Sequence, residues 1–169
     1  MLITEEYRAL NADLHGRTEF GITAPRYMNQ IAQIAEGVKA KTILDYGSGP
    51  RKHVHAALGR TYKVQSYDPA IPDLAEDPVP ADLMVACDVL EHIEPELLSA
   101  VLDHMAENTL KAAFLSIATR PAKKTLADGR NAHLIVKPPQ WWLPLLWQRW
   151  RLTQFADLGG EMVAVMEAK

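Results

Sequence analysis

The residues able to do chemistry gather in three short segments and one loop. In Ile43-Leu-Asp45-Tyr46-Gly47-Ser48-Gly49 an apolar run ends in an acid and two glycines. Glycine has no Cβ, so backbone there can approach a ligand closely. A helix starting just beyond would offer unpaired N–H groups to a carboxylate or phosphate. Asp45 adds a negative charge suited to an ammonium or a sulfonium. The same pattern also makes ordinary turns, so taken alone it leaves ligand binding and simple chain reversal both open. Asp68 ends the next apolar run, 23 residues after Asp45. That is near the spacing at which an acid receives ribose hydroxyls, with a turn-forming Asp-Pro pair as the alternative.

The third segment, Asp82-Leu-Met-Val-Ala-Cys87-Asp88-Val-Leu-Glu91-His92, sets carboxylates and an imidazole at the end of another apolar run. His92 or Glu91 could take a proton from an alcohol, phenol or ammonium; His92 could equally cap or pack the loop before Pro95. His133, in the polar loop Asp128-Gly-Arg-Asn-Ala-His133, is a further candidate base, against a purely structural loop histidine. His15, His53, His55 and His104 show no metal-ligand spacing, and no metal is expected. Ser116 lacks the Gly-x-Ser-x-Gly setting of a serine hydrolase. Lys52 stands where a nicotinamide fingerprint needs its third glycine, and the Gly-Lys-Ser/Thr of a nucleotide phosphate loop is absent.

These segments need elements to hold them. Thr4 to Leu14 reads as a helix with Thr4 as N-cap, and Gly16 to Ala24 as a loop. A second helix opens at Pro25 and repeats Tyr27, Ile31, Ile34 and Val38 at helical spacing. Lys41–Tyr46, Tyr62–Tyr67, Asp82–Cys87 and Ala112–Ala118 read as buried strands. Short helices are expected over Lys52–Leu58, closed by Gly59, and after Pro95, with Leu98, Leu102 and Met105 on one face. Thr119 to Lys137 reads as a loop with a short strand at His133–Val136, followed by a helix from Pro138 to Trp150. Leu152–Phe155 and Met162–Met166 make a final hairpin through Leu158-Gly159-Gly160. Strands alternating with helices imply an α/β sheet with a parallel core, and the last two strands an antiparallel edge.

Composition narrows the class. With 169 residues, 48% hydrophobic and 23% charged, the chain suits one globular domain. A net charge of −3 and no basic run longer than Lys123–Lys124 disfavour nucleic acid as partner. Cys87 is the only cysteine, which excludes an internal disulfide. The acidic, amphipathic start is unlike a signal peptide, and no apolar run reaches the ~18–20 residues that span a bilayer, so a cytoplasmic protein is expected. Trp141, Trp142, Trp147 and Trp150 concentrate aromatic surface near the C-terminus, for packing or as a lid or contact face. Tyr7, His15 and Phe20 either pack the N-terminal helix or close over a pocket.

Together the three segments resemble the class I S-adenosylmethionine-dependent methyltransferases. Ile43 to Gly49 is similar to that family's first motif, Tyr67-Asp68 to its second, and Asp82 to His92 to its fourth-strand segment. The resemblance extends from Ile22 to Ala118 and covers the rest in outline. It implies a three-layer Rossmann-like fold with a mostly parallel sheet of about seven strands and an antiparallel C-terminal hairpin. One domain spans 1–169, with N-terminal helices (1–40), a cofactor half (41–118) and an acceptor side (119–169). It also implies that S-adenosylmethionine is bound by Asp45, Tyr46, Gly47, Ser48, Gly49, Asp68 and Asp88. Asp68 would hold the ribose, Asp88 would face the cofactor, and Asp73 and Leu74 would lie near adenine. His133 falls in a loop where several relatives carry a histidine over the acceptor. Arg51 departs from the pattern, since the family often has a glycine there. The expected activity is methyl transfer to a small-molecule acceptor. The alternatives are a non-catalytic module that binds the cofactor and another Rossmann-like nucleotide enzyme.

Overall fold

The computed structural model describes residues 1–17 and 24–169. Six strands form one sheet in the order β2-β1-β3-β4-β6-β5. They are β1 (Thr42–Tyr46), β2 (Lys63–Tyr67), β3 (Ala81–Cys87), β4 (Thr109–Ala118), β5 (Trp150–Asp157) and β6 (Glu161–Ala168). Pairs β1–β2, β1–β3 and β3–β4 are parallel, whereas β6 runs antiparallel between β4 and β5. The three-layer α/β expectation with its reversed C-terminal hairpin is met, but with six strands among the described residues instead of about seven.

The seventh expected strand, His133–Val136, does not form, and the connection between β2 and β3 supplies no other. Pro69, Pro72, Pro78 and Pro80 crowd that connection, and each removes a ladder donor and disfavours helix. The connection therefore holds only a 3-10 turn at Pro72–Leu74, and β2 is left as a sheet edge.

Strand side chains alternate between two cores, as a period of two requires when both faces are covered. Ile43, Leu83, Val85, Phe114, Val163 and Val165 pack with Ile31 and Ala35 of α2 (Ala24–Gly37) and Val54 of α3 (His53–Leu58). Leu44, Met84, Leu115, Ala164 and Met166 face α4 (Leu98–Glu107) and α5 (Pro139–Trp147). Pro25 stands in the first turn of α2, where its missing N–H costs nothing. Glu161, at the start of β6, accepts hydrogen bonds from Arg26 (2.7 Å) and Tyr27 (2.8 Å) and so locks α2 to the sheet.

Other boundaries shift for local reasons. Helix α1 (Glu5–Arg17) runs past Leu14, and Thr4 accepts the Tyr7 N–H at 3.2 Å as an N-cap does. Of the expected loop Gly16 to Ala24, residues 18–23, Phe20 among them, lie outside the described residues. No strand forms at His133–Val136: the Ile135 N–H goes to the Glu91 carbonyl instead of to a sheet. Helix α5 ends at Trp147, and Trp150 begins β5 opposite Ala168. Trp142 and Trp150 are fully buried, whereas Trp141 and Trp147 remain 38% and 49% exposed. No helix among the described residues is long and apolar enough to cross a membrane.

Candidate functional site

Strand order reverses between β1 and β3, and ligands of open α/β sheets bind beyond the carboxyl ends of the strands at such a point. A cavity of about 570 Å³ opens there. Its floor is the turn after β1. Gly47 and Gly49 adopt φ +70° and +58°, conformations that side chains resist. A Cβ on Gly47 would stand 2.5 Å from Val89 Cγ2, so glycine is also what lets the loop after β3 pack against this turn. Around Gly49 the same position is empty space, leaving its backbone open.

Asp68 braces the floor. Its carboxylate accepts the Gly49 N–H at 3.1 Å and the Ala70 N–H at 3.0 Å, tying the ends of β1 and β2 together. Asp45 is buried beneath the turn, and its carboxyl is pushed up to about 7, by burial first and by the Asp68 charge, against a hydrogen bond from the Val54 backbone. Tyr46, Ser48, Pro50, Arg51 and Asp88 also line the cavity. The left-handed position beyond the glycines is Lys52, at φ +47°, and α3 accordingly starts at His53. Asp73 is exposed in the 3-10 turn and, like Leu74, does not line the cavity.

The opposite wall is built from the loop after β3. Asp88 takes φ +54°, and its N–H reaches the Ser116 carbonyl at 3.1 Å. The next turn, Leu90–His92, sends Glu91 inward and His92 toward the cavity. Glu91 is fully buried; Oε1 accepts the Ala118 N–H at 2.7 Å, and Oε2 has no hydrogen-bond partner among the described residues. Burial and then the charge of Asp88 hold its carboxyl well above the ordinary range. The imidazoles of His92 and His133 meet edge to face, with centroids 4.8 Å apart. His92 Nδ1 lies 2.7 Å from the Ala132 carbonyl and His133 Nδ1 2.7 Å from the Arg120 carbonyl. A carbonyl only accepts, so each Nδ1 carries a proton, and in the neutral imidazole the lone pair is then on Nε2. Burial pushes the Cys87 thiol up, away from thiolate chemistry.

A roof closes the site. Tyr7, buried on α1, donates its hydroxyl to the His92 carbonyl at 2.5 Å, and the Glu94 carboxylate accepts both the N–H (2.9 Å) and the hydroxyl (2.6 Å) of Thr4. Tyr7 and Leu14 pack on Leu126 and Ala132 of the loop after β4. That loop brings Arg120, Lys123, Lys124 and His133 to the cavity, and the N-terminal segment brings Leu2, Ile3, Tyr7 and Asn11. The basic side chains escaped the reading of the sequence; the short run Lys123–Lys124 was their only signal.

No family model and no curated protein matches the chain. Solved structures do. 1,6-Didemethyltoxoflavin-N1-methyltransferase of Burkholderia thailandensis, solved with 1,6-didemethyltoxoflavin and S-adenosylhomocysteine, aligns at TM-score 0.68 and 14% identity over 100% of this chain and 92% of its own. Magnesium protoporphyrin IX methyltransferase of Synechocystis PCC 6803, solved with S-adenosylhomocysteine, gives 0.61 and 12% over 98% and 95%. An O-methyltransferase family protein of Burkholderia thailandensis gives 0.59 and 13% over 85% of this chain, which spans only 57% of that longer one.

Proposed function

From a chain that folds as the class I S-adenosylmethionine-dependent methyltransferases fold, we propose a methyltransferase that uses S-adenosylmethionine on a small-molecule acceptor. One observation carries the reading. A single cavity runs from the Gly47–Gly49 turn and Asp68 to His92 and His133, under a roof made by α1 and the loop after β4.

The site's chemistry fits the cofactor. Open backbone at Gly49 would accommodate the methionine end, with Asp88 at the cavity wall supplying negative charge toward a sulfonium and Asp45, raised to about 7, adding to it only once it loses its proton. Asp68, held at the cavity floor by its backbone bonds, is a carboxylate of the kind that accepts ribose hydroxyls. A sulfonium supplies an already activated methyl group, so the protein has mainly to align the acceptor and exclude water. The roof does the excluding. His92 and His133, with Glu91 behind them, face the acceptor end. About 570 Å³ sits within the ~300–1,000 Å³ of small-molecule sites, which supports a small acceptor. The neighbours solved with 1,6-didemethyltoxoflavin or named for magnesium protoporphyrin IX point the same way.

Calorimetric titration with S-adenosylmethionine and S-adenosylhomocysteine tests this. Micromolar binding by the wild type is expected. It should weaken by about 10–100-fold in Asp68→Ala, as for loss of hydrogen bonds to a charged group. A wild type that binds neither would overturn the proposal. Binding without turnover across an acceptor screen would favour a binding module instead.

A further inference from the structure

We propose that Glu91, His92 and His133 form a site for a divalent first-row transition-metal ion, which would hold an oxygen-bearing acceptor at the cavity wall. Each of the three offers one ligand atom, and these atoms lie within 4.8 Å of one another. Ligands about 2.1 Å from a shared ion stand at most ~4.2 Å apart. The cluster therefore needs only a small inward rotation of its side chains to close on an ion.

The surroundings are those of a ligand set. Metal-binding imidazoles commonly donate their second nitrogen to a carbonyl, which fixes the ring and turns the lone pair inward. Both rings do so here, His92 toward Ala132 and His133 toward Arg120. Glu91 is anchored in the same manner through Oε1 to the Ala118 N–H. Its Oε2 is sealed from solvent with no donor among the described residues, an arrangement that costs free energy unless a proton or a cation compensates it. The Asp88 carboxylate beside it adds a second negative charge, which offsets a dication better than a lone proton does.

Two nitrogens and one carboxylate oxygen suit zinc, cobalt, iron or manganese better than magnesium or calcium. His92 and His133 both line the cavity, so the ion's remaining positions open onto it. An alcohol or phenol bound there loses its proton to water more readily. Its oxygen then forms the new bond to the methyl carbon as the carbon–sulfur bond breaks, with the electron pair staying on sulfur. That role rests on the methyl-transfer reading; the ion site itself does not.

The test uses the full chain, stripped with a chelator and titrated with Co²⁺. Uptake of a single equivalent with visible d–d absorption is expected. His92→Ala and His133→Ala should each weaken uptake by at least ~100-fold, since loss even of an outer-shell partner costs about 10–100-fold. His55→Ala, on the exposed side of α3, should leave it unchanged, with circular dichroism confirming the fold of all three. No uptake by the wild type, or uptake that survives both cavity variants, overturns the site. Acetohydroxamate, a bidentate oxygen ligand, should shift the cobalt band; a band indifferent to it overturns the acceptor role. S-adenosylhomocysteine is titrated in parallel. Binding of it without cobalt uptake sinks the ion site alone, and cobalt uptake without it sinks the methyl-transfer reading alone.

Discussion

Gly47 and Gly49 both sit at positive φ, yet a methyl group has different consequences at each. Gly49→Ala meets open space and should cost about 1–2 kcal/mol from backbone strain alone. Gly47→Ala adds a contact 2.5 Å from Val89, so urea unfolding should show it as the more damaging change, by a further ~1–3 kcal/mol of overpacking. Asp45 acts through protons. Its carboxyl titrates near 7 when folded against 3.8 when free, so within that window the folded chain holds a proton that the unfolded chain releases. Its contribution to stability is therefore full below the window, falls as pH rises through it and levels off above. Asp45→Asn should flatten that part of a stability-versus-pH curve; an unchanged slope would remove Asp45 as its source. Asp45, the two glycines and Asp68 could be picked out from the sequence because residue type at a strand end already limits the chemistry. Glu91 and His133 could be named but not joined. Their meeting depends on a loop that folds back 40 positions to set the Ala132 carbonyl against His92.

Helix α1 holds the roof through few but well-placed bonds. Tyr7→Phe deletes the hydroxyl bonded to the His92 carbonyl and should cost about 0.5–1.5 kcal/mol. Amide exchange in α1 should speed up while the strands keep their protection, because helices docked by few contacts open before the core does. In α5 the three tryptophans divide. Trp142→Ala, in the core, should lose about 3–5 kcal/mol, and Trp147→Ala, half exposed, under ~0.5 kcal/mol, as chemical denaturation would measure. The strands were found from sequence because Ile43-Leu44 and Leu83-Met-Val-Ala86 are apolar on both faces, which only a covered sheet tolerates. The end of α5 was missed because an apolar aromatic run keeps no period to mark where helix gives way to strand. Arg149 bridges that junction to Asp103 (2.7 Å) and Ser99 (2.8 Å), contacts visible only once α4 lies alongside.

Across the whole molecule, binding and stability are linked. A ligand that occupies the cavity only when the chain is folded stabilises it by about 2.7 kcal/mol at a hundredfold excess over Kd. For a domain of this size S-adenosylhomocysteine should therefore raise Tm by about 5–10 °C, and an unmoved Tm would count against the site. The overall plan could be read because strand–helix alternation dictates layers. The strand count could not, because His133–Val136 is apolar enough for a strand, and only the folded chain shows its Ile135 N–H bonded to the Glu91 carbonyl instead of to a sheet. The roof has a further consequence for how the protein is made. Its two halves, α1 and the loop after β4, are far apart in the chain: Tyr7 and Leu14 pack on Leu126 and Ala132. On the ribosome α1 emerges before the sheet and that loop and has nothing to dock on until they have followed it. Its surface is polar enough, with Glu5, Glu6, Arg8 and Asp13 exposed or partly so, to wait in water. The site is thus assembled floor first, and α1, though synthesised before the sheet and the loop it rests on, is among the last of the described elements to settle.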